Sequence, residues 1–241
     1  MKFSEFIEHA VFYISVPKCI SCNEKLDFTS KVYCPECKLE LFDAYSRECS
    51  KCFKVLSQCT CSNEYLKSKR VKQVIKLFRY IQREENYAAN SLIYSLKKDN
   101  RRDCLELASD MLCHSLLNAF DNFDNIILTN VPRRRIAIIK RGFDHASMLS
   151  KRIAKKLNAT YIPLFVSKTK KAQKSLGPVE RRKNPNFTLR ANKTLDGKTV
   201  VIVDDVITTG ASIGACADLA YSLGARNVVA AALGIAYKDM S

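Results

Sequence analysis

The stretch Val200-Val201-Ile202-Val203-Asp204-Asp205-Val206-Ile207-Thr208-Thr209-Gly210-Ala211-Ser212 constrains the fold more than any other. Four β-branched residues run into two adjacent carboxylates and then into small hydroxyl residues around a glycine. That order describes a buried parallel strand whose C-terminal end opens through a tight loop into a helix. Short side chains let the loop backbone approach a ligand closely, and the unpaired N–H groups of the helix start face the same space. A phosphate is the natural occupant of such a loop. The carboxylate pair suits a polyol edge or a hydrated Mg²⁺ ion, both of which need oxygen acceptors at fixed spacing. The bland reading is a buried strand with a capped turn, as any α/β protein carries.

The rest of the chain fits an α/β protein. Expected strands are residues 74–80, Asn125–Asn130, Tyr161–Val166, Lys198–Val203 and Asn227–Leu233. Helical patterns run over Asn86–Leu96, over the segment carrying Leu105, Leu112 and Leu116, over about Phe143–Leu157, and over Ser212–Leu223, where Gly224 ends the helix. Residues 3–14 read as a short amphipathic helix packed on the module that follows. Asn63–Lys72 reads as a polar linker or cap, and residues 167–192 as a long basic loop. The division expected is a cysteine module at residues 1–65 and a larger unit at residues 70–241.

Ahead of that unit the cysteines fall as Cys19-x2-Cys22, Cys34-x2-Cys37, Cys49-x2-Cys52 and Cys59-x-Cys61. Thiolates two residues apart on a tight knuckle aim at one ion, and two such pairs complete a tetrahedral site. The reading is structural Zn²⁺, one ion or two. Cys19, Cys22, Cys34 and Cys37 form the simpler set, while Cys49, Cys52, Cys59 and Cys61 are less regular, and interleaved pairing stays open. Disulfides are the alternative, disfavoured where no signal sequence is found. Cys104, Cys113 and Cys216 read as small buried apolar residues.

The chain has 241 residues and a formal net charge of +16. Such an excess favours polyanions: nucleic acid, an acidic membrane surface or phosphorylated small molecules. No apolar run is long enough to cross a bilayer, and the N-terminus lacks a secretory pattern, so a cytoplasmic location is expected. Val131-Pro132-Arg133-Arg134-Arg135 starts at a strand's C-terminal end, where open α/β sheets place ligands. Lys140-Arg141-Gly142-Phe143-Asp144-His145-Ala146 then reads as a basic loop opening a helix.

The Val203–Ser212 loop resembles the phosphoribosyl pyrophosphate (PRPP) motif of type I phosphoribosyltransferases. The cysteine module, the Arg-Gly-Phe-Asp-His-Ala segment, Gln173-x2-Leu176 and Glu180-Arg181-Arg182-x-Asn184, in that order with the loop, resemble ComF-type proteins over nearly the whole chain. The resemblance implies a type I phosphoribosyltransferase fold, a mostly parallel sheet with flanking helices, preceded by a small zinc-binding module. It also implies a role in natural transformation, handling imported single-stranded DNA, with DNA-processing proteins as partners.

By the same resemblance, Asp204 and Asp205 would accept from the ribose hydroxyls, directly or through Mg²⁺, and would be the catalytic pair if a reaction occurs. Thr208, Thr209, Gly210, Ala211 and Ser212 would cradle the 5′-phosphate. Lys97 and Lys98 match in position the dipeptide that holds pyrophosphate, though Asp99 follows them where an aromatic or small residue is the family's habit. His145 stands where many relatives carry Gln. A single-stranded DNA path would run over Arg133, Arg134, Arg135, Lys140, Arg141, Phe143, Lys170, Lys171, Lys174, Arg181 and Arg182. Two functions follow as expectations: a DNA-handling protein that binds a phosphoribose ligand, or a working phosphoribosyltransferase with an unidentified amine or base acceptor. A third is a zinc-stabilised docking module.

Overall fold

The computed structural model describes residues 16–27, 29–80, 87–98, 101–168, 187–190 and 193–236. The expected helix at residues 3–14 lies outside them, as do Lys170, Lys171, Lys174, Arg181, Arg182 and the Gln173, Leu176, Glu180 and Asn184 signature.

A five-stranded, wholly parallel sheet forms the centre. Its strands are β1 (Val71–Tyr80), β2 (Ile126–Asn130), β3 (Thr160–Tyr161), β6 (Thr199–Ile207) and β7 (Asn227–Ala236), in the order β1-β7-β6-β2-β3. Strands buried on both faces read as continuous apolar runs, which is what Val200–Val203 and Val228–Leu233 show. Their side chains alternate between two cores. Val201, Val203, Val229 and Ala231 face one side, where α3 (Tyr87–Lys98), α4 (Arg102–Leu117) and α6 (His145–Lys156) pack. Val200, Ile202, Val228 and Ala230 face the other side, covered by α7 (Ala211–Ser222). The α/β class and mostly parallel sheet expected from sequence are present.

Several local expectations are corrected. The strand expected at Tyr161–Val166 is two pieces. Thr160–Tyr161 pairs with β2, whereas β4 (Phe165–Ser167) leaves the sheet and pairs antiparallel with β5 (Phe187–Leu189). Pro163, lacking an N–H, stands between the pieces. β5 also lies inside the segment expected to be loop. The basic run after β2 is a short helix, α5 (Arg135–Arg141), ended by Gly142 at φ +78°. The helix expected from Phe143 starts at His145, because the Asp144 side chain caps it by accepting from the Ser147 N–H. The segment expected to be linker holds α2 (Glu64–Ser68), capped by Asn63 through the Leu66 N–H at 2.8 Å.

The cysteine module does not stand apart. Its helix α1 (Pro35–Ser46) contributes Leu41 and Ala44 to the core shared with α3 and the sheet, and the Tyr33 hydroxyl donates to the Ala88 carbonyl at 2.6 Å.

Candidate functional site

The site gathers at the C-terminal ends of β2 and β6. Asp204 and Asp205 occupy consecutive positions of β6, so they face opposite ways. Asp205 is 6% exposed and its Oδ2 is the meeting point of three nitrogen donors. Arg133 Nη2 lies 2.8 Å away, His145 Nε2 2.5 Å and Lys97 Nζ 3.4 Å. The Arg133 guanidinium also rests against the His145 ring nitrogen. Asp205 Oδ1 accepts from the Val206 N–H at 2.7 Å. Burial works to raise this carboxyl, but the His145 hydrogen bond and the Lys97 and Arg133 charges outweigh it and hold it below the usual carboxylate range. Asp204 shows the opposite balance. Desolvation, then the neighbouring Asp205 carboxylate, push it well above the ordinary value, although its oxygen accepts from the Asp205 N–H at 2.9 Å.

The loop after β6 rises from this pair. Thr208 and Thr209 are exposed, Ala211 and Ser212 half-buried, and Gly210 sits at φ +82° as the N-cap of α7. Thr209 Oγ1 accepts from the Ala211 N–H at 3.3 Å. A Cβ on Gly210 would lie 2.7 Å from Leu66 Cγ, and one on Gly214 would lie 2.9 Å from Tyr65 Cε1. The short helix α2 therefore supports the loop and the first turn of α7 from beneath, reinforced by the 2.6 Å ion pair of Lys69 with Asp218.

Among the expected site residues, Lys97, Asp204, Asp205 and the Thr208–Ser212 loop converge. Lys98 is exposed beside Lys97. Of the residues read as a basic surface, Arg133 turns inward to Asp205, while Arg134, Arg135, Lys140 and Arg141 are exposed and Phe143 is half-buried. Sequence reading missed the Arg133–His145–Asp205 cluster and the α2 support. The Asn63 cap ahead of Leu66, and a glycine inside the α7 pattern, were the available signals for the latter.

The cysteines settle into two groups, Cys19/Cys22/Cys34/Cys37 and Cys49/Cys52/Cys59/Cys61, each with all four Sγ atoms within 4.8 Å of one another. The interleaved pairing left open by spacing is not adopted. All eight are free thiols. A tetrahedral zinc site with Zn–S of about 2.3 Å spaces its sulfurs by about 3.8 Å, and Cys22 and Cys34 Sγ stand 3.6 Å apart, so the donor set fits a thiophilic ion. The two knuckles repeat one geometry: the Asn23 N–H donates to the Cys19 carbonyl and the Phe53 N–H to the Cys49 carbonyl, with Asn23 at φ +68° and Phe53 at φ +57°. Burial opposes the Cys19 thiolate, yet the N–H groups of Cys22, Cys34 and Ser21 bring that thiol down to about 7. Cys49 reaches about 6, burial being outweighed by the N–H groups of Lys51 and Cys52. One thiol in each group is thus brought toward thiolate near neutral pH, whereas Cys34, Cys37, Cys59 and Cys61 are pushed up, so those ligands lose their protons on binding the ion.

Comparison with known proteins matches a phosphoribosyl transferase domain to residues 136–236, the segment that runs from α5 through the acidic pair to the end of β7. Residues 136–236 are a phosphoribosyl transferase domain. The chain is 28% identical over 144 residues to the DNA utilization protein YhgH of Escherichia coli O157:H7, covering 57% of this chain and 63% of that one. This homology, with the two cysteine groups N-terminal to the domain, bears out the resemblance to ComF-type proteins. A ribose-phosphate pyrophosphokinase of Saccharolobus solfataricus is 39% identical over 84 residues, 35% of this chain. The chain spans 25% of that relative's length and less than two thirds of YhgH's. A purine phosphoribosyltransferase structure from Pyrococcus horikoshii aligns at 21% identity and a TM-score of 0.37, covering 54% of this chain and 72% of that one.

Proposed function

We propose that the phosphoribosyl transferase domain binds PRPP or a related phosphoribose with Mg²⁺, in a cytoplasmic protein of natural transformation that handles single-stranded DNA. The unit boundaries belong to this reading, with residues 1–65 as the cysteine module and 70–241 as the phosphoribose-binding part. The observation that carries it is the acidic pair of β6 beneath a helix-opening loop of small residues, with Lys97 and Arg133 brought to the same place.

In this reading the Thr208–Ser212 backbone and hydroxyls receive the 5′-phosphate, because α7 presents unpaired N–H groups there. Lys97 and Lys98 face the pyrophosphate. Asp204 and Asp205 receive the ribose hydroxyls or the hydrated Mg²⁺. Arg133, His145 and Lys97 crowd Asp205 Oδ2, so ligand binding goes with an exchange: the cationic groups swing to the incoming phosphates and the carboxylate turns to the sugar or the ion. Mg²⁺ would supply charge neutralisation on the leaving group if transfer takes place.

The DNA part rests on net charge and on α5. That helix exposes Arg135, Lys140 and Arg141 around Ile136 and Ile139, which are 57% and 71% exposed, and Phe143 follows. Cations beside apolar surface suit a strand that offers phosphates and base faces. Fluorescence anisotropy with a labelled oligonucleotide tests it. Affinity should fall steeply with salt and drop further in Arg135→Ala/Lys140→Ala/Arg141→Ala, whereas a salt-insensitive or absent signal contradicts the DNA role.

The second reading, a working transferase, is favoured by the intact acidic pair. It predicts pyrophosphate release when PRPP, Mg²⁺ and a panel of amines or bases are supplied together, and loss of that release in Asp204→Asn.

A further inference from the structure

Lys76 lies in the middle of β1 and is 0% exposed. Its Nζ has four acceptors: the Cys61 carbonyl at 3.0 Å, the Cys59 carbonyl and Cys59 Sγ each at 3.1 Å, and the Val74 carbonyl at 3.2 Å. Among the described residues no carboxylate pairs with it. A buried ammonium surrounded only by carbonyl dipoles is expensive, and one facing a negative centre is not. The available negative centre is the second cysteine group. A divalent ion with four thiolate ligands carries a net charge of −2, and Lys76 donates directly to one of those sulfurs.

We propose that Lys76 is the built-in counter-cation of a separate metal centre held by Cys49, Cys52, Cys59 and Cys61, and that it ties this centre to β1. It is a positioning residue for the metal and not a ligand. The three N–H groups of the ammonium are shared among the three carbonyls and the Cys59 sulfur, so the cation that the backbone holds in place also orients that sulfur. The segment between Cys59 and Cys61 is held along the edge of the sheet by the same cation and by the Val74 N–H, which donates to the Thr60 carbonyl at 3.1 Å. In the sheet, Lys76 pairs with Ala232, and Ala232 pairs in turn with Asp204. The second centre is therefore anchored on the same cross-strand row as the acidic pair, two strands away. The first cysteine group has no equivalent, since among the described residues no lysine or arginine donates to its sulfurs and Cys22 is exposed.

Metal counting in the full chain tests this. Chain purified with Zn²⁺, then exchanged to ¹¹³Cd²⁺, should carry two equivalents and show two resonances in the tetrathiolate region. Cys49→Ser/Cys52→Ser should remove one. In competition against a chromophoric chelator, Lys76→Met should weaken one equivalent by about 10–100-fold, the range for loss of a hydrogen-bonding group behind a metal ligand, and leave the other unchanged. Lys76→Arg should recover part of that loss. One equivalent in the wild type overturns the proposal, as does a Lys76→Met titration that overlays the wild type. Should Lys76→Met fail to fold, the wild-type count together with the Lys76→Arg titration decides, since a single metal or two equally affected metals contradict a cation dedicated to one centre.

Discussion

At the scale of single residues, the two adjacent aspartates are unlike groups. Asp205 is a carboxylate held by three donors, and removing its charge leaves Lys97 and Arg133 facing each other in a site less than a third exposed. Asp205→Asn should cost on the order of 3 kcal/mol at neutral pH, as loss of one member of a buried ion cluster does, read by urea unfolding. Asp204→Asn should cost less than about 1 kcal/mol, because an amide oxygen still accepts from the Asp205 N–H. The pH dependence separates them further. A depressed Asp205 contributes stability that is present above the unfolded carboxylate value of about 3.9 and lost as pH falls through the folded value. A raised Asp204 contributes stability that is present below about 3.9 and lost as pH rises through the folded value. The stability of Asp204→Asn relative to wild type should therefore improve as the pH is raised from 4, whereas the deficit of Asp205→Asn should be close to its full size by about pH 5 and shrink as the pH is lowered below about 4. Phe53 supplies a separate test. It is 75% exposed at φ +57°, so Phe53→Gly should stabilise the metal-loaded chain by about 1 kcal/mol, seen as a higher unfolding midpoint.

Among the elements, α2 carries the least expected role. Gly210 is squeezed between a left-handed backbone and Leu66, so Gly210→Ala should destabilise the chain by about 1–3 kcal/mol. Leu66→Ala alone opens a cavity, but in that background the steric part of the Gly210→Ala cost should shrink while the backbone part remains. A double-mutant cycle in thermal unfolding measures that coupling. What the sequence made legible here was short-range. Val200–Val203 with Thr208–Gly210 announces strand, loop and helix, and the Cys-x2-Cys rhythm announces knuckles. What it hid was set by partners far along the chain. Arg133 reads as part of a charge run until β6, 72 positions on, supplies Asp205. Lys76 reads as the polar position of an alternating strand until the Cys59–Cys61 segment covers that edge. The divided strand at Thr160–Ser167 escaped because its second piece pairs with Phe187–Leu189, inside a stretch whose composition indicates loop.

For the whole molecule, the cysteine module and the phosphoribosyl transferase domain share a core and an edge strand. Stripping metal with a strong chelator should then lower the unfolding midpoint of the whole chain in one transition, without a residual domain unfolding at the original temperature. The net charge of +16 and the exposed cations of α5 belong to this scale too, since an excess of positive charge favours polyanions in general. Among the described residues no helix is long and apolar enough to cross a bilayer. A phosphoribose site built on Asp204, Asp205 and the Thr208–Ser212 loop should be visible in calorimetric titration of the zinc-loaded chain with PRPP and Mg²⁺. Saturable binding at one site per chain, lost in Gly210→Ala and weakened at least tenfold in Asp205→Asn, is the predicted result; no heat of binding in the folded wild type, or binding that survives both substitutions, would contradict it.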